Sequence, residues 1–318
     1  MSRMDLAQKK VVLADAILIS GIGNQDRLAA QNGFLGTIED LDDWVAQQKV
    51  SPKDLKTADR QTLVLLRTLH GLLERNPTLD REVAAVHLAV GPARTNLDAL
   101  ERWAQRIVPG ESFPLVQSGA AIGLLPNMPL SWVSIRQQWR GEGAVWAGFE
   151  EAGFEATVAA FEALQSGIPE AVVAVVSCPD KYFVPGALND RGYHSDIGCP
   201  DIGCPQVYDP HFGCPQIGYP KVGYPEIGVA LRLVRPDIFR GEGLLISSFR
   251  GPSEGLTDVE AMGFQTPFRR EWGNPLTASF PAALALAFSA RVPGLDIEVA
   301  SSAGKDRWFS ACLEGFNV

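Results

Sequence analysis

Apolar residues recur along this chain in two rhythms. In "ADRQTLVLLRTLHGLLERN" (58–76), Leu63, Leu66, Leu69 and Leu73 return at helical spacing and predict an amphipathic helix. Phe154, Val158, Phe161 and Leu164 do the same between Glu151 and Leu164. "TNLDALERWAQRIV" (95–108) reads as a helix behind a Thr or Asn cap, and "LPNMPLSWVSIRQQWRG" (125–141) as another after a Pro-rich entry. The second rhythm is the short apolar run. The start of "KVVLADAILISGIG", "VAAVHLAVG" (83–91), Ala144–Trp146, "EAVVAVVSC" (170–178), "VALRLV" (229–234), "GLLISSF" (243–249), "LDIEVASS" and "WFSACLEGF" read as strands. The run at 170–178 is apolar and β-branched throughout, the type buried on both faces of a sheet. "LTASFPAALALAFSA" (276–290) is apolar all round, too short to span a bilayer and broken by Pro281, so it reads as a buried helix. Helices alternating with buried strands predict a layered α/β fold.

One segment breaks both rhythms. From Asp196 to Ala230 the chain repeats every five residues: DIGCP, DIGCP, QVYDP, HFGCP, QIGYP, KVGYP, EIGVA. Proline at this spacing excludes a helix or a central strand, so an extended solvated arm is expected. The last unit, Glu226-Ile227-Gly228, runs into the strand "VALRLV". The repeat therefore reads as a surface insertion, 196–225, copied from a loop–strand junction. Cys199, Cys204 and Cys214 lie in it. With His194, Asp209 or His211 they offer zinc ligands, but no C-x-x-C pair is present and no metal is expected. Cys178 and Cys312 sit in strand-like runs and read as inert core residues.

Composition narrows the function. The chain has 318 residues and is 46% apolar, enough for a substantial core; its net charge is -9. No basic face for nucleic acid is apparent. The N-terminus "MSRMDLAQKK" has no apolar signal region, so a cytoplasmic protein without a membrane span is expected.

"AVWAGFEEAGFEATVAAFEAL" (144–164) carries the candidate chemistry. A strand, a tight turn and a helix form an elbow whose tip reads Phe149-Glu150-Glu151. Such elbows often present a nucleophile to the positive end of the helix dipole. A carboxylate there is a poor acyl nucleophile. Glu150 can instead cap the helix and keep the elbow folded, hold a proton as acid or base, or be a relic of lost chemistry.

With these residues in view, the chain resembles the β-ketoacyl synthases. Asn127-Met128, then Arg140-Gly141 thirteen residues on, then Glu150 nine after the glycine, then Gly153 three later, meet the spacing around that family's nucleophilic cysteine. "ADRQTLVLLRTLHGLL", "VHLAVG" and "EIGVALRLV" resemble neighbouring elements, and the likeness covers about residues 11–250. It implies a thiolase-like α-β-α-β-α layered fold. Residues 1–250 would be the N-terminal-like half and 251–318 a truncated second half.

The departures imply the role. Glu150 stands where the family has cysteine, and His70, His87, His194 and His211 lie outside its catalytic histidine motifs. This is similar to the chain length factors of type II polyketide systems, which lack the cysteine and pair with an active ketosynthase. The resemblance implies a subunit without catalytic residues or cofactor, in a heterodimer that elongates chains on an acyl carrier protein. Bulky Phe149 and Phe154 would occupy the space an acyl chain needs. Gly119, Ala120 and Ala121 match positions where large residues close the partner's tunnel. They read either as tight packing or as small side chains leaving that tunnel open. Asn127 and Met128 complete the expected tunnel and interface set. Two other readings stand beside this one: an independent decarboxylase or acyl-processing enzyme using Glu150, and a scaffold whose repeat binds a partner.

Overall fold

A computed structural model describes residues 10–21, 23–24, 38, 40–51, 55, 58–91, 125, 127–178, 226–254, 276–290, 297–302 and 307–317. In chain order these form β1 (Val11–Ser20), β2 (Gly23–Asn24), α1 (Leu41–Gln47), α2 (Arg60–Arg75), β3 (Ala85–Val90), α3 (Met128–Arg136) and β4 (Gly143–Ala147). There follow α4 (Glu150–Gln165), β5 (Glu170–Ser177), β6 (Ile227–Val234), β7 (Glu242–Glu254), α5 (Ser279–Ser289), β8 (Ile297–Ser302) and β9 (Arg307–Asn317). The strands make one nine-stranded mixed sheet in the order β4-β3-β5-β6-β1-β7-β9-β8, with β2 paired to β1. Strand β3 runs parallel to β4 and β5; the other pairings are antiparallel. Because β7 crosses residue 250 and joins β1 to β9, the sheet is continuous there.

Alternation along the strands feeds two cores. On β3, Ala85 and Ala89 face the core under α4 and α5, while Val86, Leu88 and Val90 face the one under α1, α2 and α3. Strand β5 alternates likewise and is buried from Ala171 to Ser177, as its β-branched run predicts. The result is helix, sheet, helix among the described residues. The cores are apolar enough for each buried Val or Leu to contribute roughly 1.5–3 kcal/mol.

Strand β1 shows how sequence irregularity is used. Its pairing with β6 shifts register between Leu13 and Asp15. A one-residue slip turns every later side chain over. Accordingly Val11 and Leu13, then Ala16 and Leu18, face the same core. The bulge buries Asp15, which accepts from Arg75 Nη2 (2.6 Å), Asn76 Nδ2 (2.7 Å) and its neighbour's amide. Arg232 continues the network, donating to Asn76 Oδ1 and to both oxygens of Glu170.

The helices follow expectation with local corrections. Helix α2 begins at Asp59, whose carboxylate accepts from Thr62 N (2.8 Å). Its fully buried apolar residues are Val64, Leu65, Leu69 and Leu72; Leu63 and Leu73 are only partly covered. Apolar residues lie on two adjoining stripes of this helix, and the sheet selects the one that meets β5 and β6. Helix α3 stops at Arg136, short of the expected end, where Gln138 takes a left-handed conformation at φ 51°. Beyond the end of α4 at Gln165, Gly167 (φ 116°) turns the chain, and its amide and that of Ile168 donate to the carbonyls of Leu164 and Ala163. Helix α5 is buried almost throughout, as expected for 276–290. The helix expected at 95–108 and the repeat at 196–225 lie outside the described residues. No described helix is long and apolar enough to cross a membrane.

Candidate functional site

The parallel strands β3, β4 and β5 end on one side of the sheet, where α4 begins. In open α/β sheets this end collects ligands. The elbow is stitched there by three hydrogen bonds. Gly148 N donates to Val90 O (3.1 Å), joining β4 to β3. Thr277 Oγ1 donates to Gly148 O (2.7 Å) from the turn before α5. Gln61 Oε1 accepts from Gly91 N (2.9 Å) at the end of β3. Gln61 and Thr277 are completely buried. Sequence reasoning missed both. A polar residue on the covered side of α2, and a threonine entering an apolar helix, were the signals available.

Glu150 is the first residue of α4 and is 1% exposed, whereas Glu151 beside it is exposed. Both carboxylates lie in the first turn, where the helix dipole favours negative charge by roughly 0.3–2 kcal/mol. Phe149 is the N-cap residue, partly exposed, with a non-helical backbone (φ -87°, ψ -140°) and no side-chain cap bond. Gly153 follows one turn later. A Cβ there would lie 2.0 Å from Thr277 O, so the motif's glycine is required for α4 to touch the turn before α5. Gly141 is explained similarly: a Cβ would lie 2.0 Å from Ala84 O, which also accepts from Trp139 Nε1 (2.7 Å). Both spaced glycines are close-approach positions.

Beneath the elbow the interior is aromatic. Phe154 is 4% exposed and meets Phe280 edge-on at 5.1 Å and Phe249 at 6.2 Å. Phe161 meets Phe249 at 5.1 Å. Four phenyl rings thus fill the space between α4, α5 and β7.

The other expected site residues are dispersed. Asn127 is the exposed N-cap of α3 and makes no side-chain cap bond. Met128 packs in the core beneath α2 and α3, across the sheet from Phe154. Phe149, Glu150 and Phe154 thus lie at the start of α4, Met128 lies across the sheet from Phe154, and Asn127 is exposed at the start of α3. Gly119, Ala120 and Ala121 lie outside the described residues.

The remaining reactive groups are held elsewhere. His70 pairs with Glu74 (3.3 Å) and stacks on Trp44. Cys178, at the end of β5, is buried, and burial pushes its thiol well above the usual range. It is thus protonated and a poor nucleophile. Nearby, buried Glu226 pairs with Arg60 and accepts from Ile38 N (2.8 Å). That pairing raises the Arg60 guanidinium above its ordinary range. Cys199, Cys204, Cys214, His194 and His211 are outside the described residues. Among the described residues no three ligating side chains converge on a metal position.

No family model and no curated protein matches the sequence. Solved structures do match its fold. One is a type II polyketide acyl-carrier protein in complex with its ketosynthase bound to the hexaketide. It has TM-score 0.65 at 13% identity, covering 96% of this chain and 99% of that one. The ishigamide ketosynthase/chain length factor follows with TM-score 0.62 at 14% identity and the same coverages. A β-ketoacyl synthase from Burkholderia phymatum has TM-score 0.59 at 11% identity, covering 98% of this chain and all of that one. The chain carries the thiolase-like ketosynthase fold.

Proposed function

We propose that this chain is a non-catalytic ketosynthase-like subunit that pairs with an active ketosynthase and shapes the chain grown on an acyl carrier protein. One observation carries the reading: the elbow of this fold ends in a buried carboxylate, Glu150, backed by the Phe154–Phe249–Phe280 cluster. Condensation through an acyl-enzyme needs a nucleophile that a thioester can reach. A buried glutamate makes a poor one, and packed phenyl rings leave little room for an acyl chain beside it.

The sheet edge supports a partner. Among the described residues strand β4 is the outermost strand; it is five residues long, and none of its residues is fully buried. The edge that no described strand covers can offer backbone groups to another strand, and Val145 and Trp146 offer apolar area beside it. Such an edge left open invites association.

The test is reconstitution. The chain is purified alone, with an active ketosynthase, and with a ketosynthase whose cysteine is removed, then supplied with carrier-bound extender units. The reading expects condensation only in the second mixture. Turnover by the chain alone, lost on Glu150→Gln while the fold persists, would instead make Glu150 the acid or base of an independent enzyme.

A further inference from the structure

His87 lies in the middle of β3, 3% exposed, and neither ring nitrogen has a hydrogen-bond partner among the described residues. Buried polar groups are almost always paired, so an imidazole held this way asks for an explanation. Its register partners are Ala144 on β4 and Val173 on β5, and its ring stacks on Trp146 at 5.4 Å. The ionisable groups on the packed elements are few. Strand β4 carries none, nor does the turn Leu276–Ala278. Glu170 of β5 is tied to Arg232 at the start of its strand. Helix α4 contributes Glu150, buried at the elbow, and Glu151, Glu155 and Glu162, which are exposed. Among the described residues no anionic group is placed to stabilise a proton on His87, and burial lowers its pKa to about 4.

We propose that His87 is an acid-sensitive latch on the outer edge of the sheet: neutral, it packs beneath Trp146 and holds β4 closed; protonated, it opens β4 and the elbow that β4 carries. The direction of opening follows from the packing. On one side β5 is buried from Ala171 to Ser177, and above lies the covered face of α4. Among the described residues strand β4 has a single strand neighbour, β3, and it is half-exposed, so it yields at least cost when the imidazolium seeks water. The ring of Trp146 attracts the cation but does not replace the hydration lost on burial. This inference needs neither the partner nor the chain-elongation reading.

The experiment is amide exchange on the full chain at pH 7 and pH 5, corrected for the intrinsic pH dependence of exchange. It is run alongside a titration of the His87 ring by NMR. With a closed-state pKa of about 4 and an ordinary value when open, the open population rises about twentyfold over this interval. Exchange should quicken by that factor at Gly143–Ala147 and stay unchanged in β5 and β6. His87→Phe, which keeps an aromatic ring against Trp146, and His87→Leu should abolish the pH response of β4. A ring that titrates near its ordinary value with β4 unmoved, or an equal acid response in either variant, overturns the proposal.

Discussion

Glu150 and His87 are both buried ionisable residues near one strand, and their surroundings assign them opposite behaviour. Glu150 begins a helix, where the dipole and backbone amides favour its charge. Replacing it by glutamine should therefore cost at most about 1–2 kcal/mol. The predicted readout is a melting shift of a few degrees, with the activity of the reconstituted pair retained. His87 has no such support, and its folded pKa of about 4 lies below the unfolded value. The unfolded chain then binds more protons between pH 6.5 and 4. Stability is full above this window, falls as pH drops through it, and levels off below. The loss amounts to about 3 kcal/mol. Denaturant midpoints from pH 7.5 to 4 should show the decline, and His87→Phe should flatten it. Gly153 gives the steric counterpart. An alanine methyl would strike Thr277 O, a backbone atom that cannot swing away. Gly153→Ala should cost about 2–3 kcal/mol, while Gly148→Ala, whose Cβ would find its nearest neighbour at 3.4 Å, should cost less.

Elements were legible in the sequence wherever burial imposes a period. The apolar runs at 83–91 and 170–178 became β3 and β5 because both faces of those strands are covered. The elbow was legible because a strand run meets a helix stripe across a few residues. What stayed hidden depends on contacts between distant positions. Thr277 reaches Gly148 across 129 positions, and Arg60 reaches Glu226 across 166. No local pattern encodes either. Helix α2 illustrates a different limit. Its sequence offers two apolar stripes, and only the sheet decides between them. Met128 keeps the spacing of a motif while packing across the sheet from Phe154. Spacing along a chain that crosses layers does not determine which face a residue meets. The Arg60–Glu226 pair also gives the element-scale prediction. Glu226 is the first residue of the last five-residue unit, and the β6 that follows is paired on both sides by residues 227–234 alone. Deleting 196–225 while keeping Glu226 should preserve the melting transition. Glu226→Ala should lower it by about 3 kcal/mol, because it leaves a partly buried guanidinium unpaired.

At the scale of the molecule, the described residues supply an elbow and an edge strand, and the side chains at the elbow are not those of a thioester nucleophile. In the role proposed above, the chain contributes shape to the partner rather than a nucleophile. If Ala120 and Ala121 leave room in a partner's channel, Ala120→Phe or Ala121→Phe in the reconstituted pair should shorten the products while initiation continues. An interior near crystal density cannot absorb a phenyl ring. An unchanged product distribution with the pair intact would return these alanines to ordinary packing. The pairing itself is the claim on which the rest depends. Its most direct measurement is the mass of the species formed when the chain is co-expressed with an active ketosynthase, read by light scattering on the eluted peak. The account predicts a stable 1:1 complex. A chain that elutes as a well-behaved monomer and leaves the ketosynthase as its own dimer would contradict it.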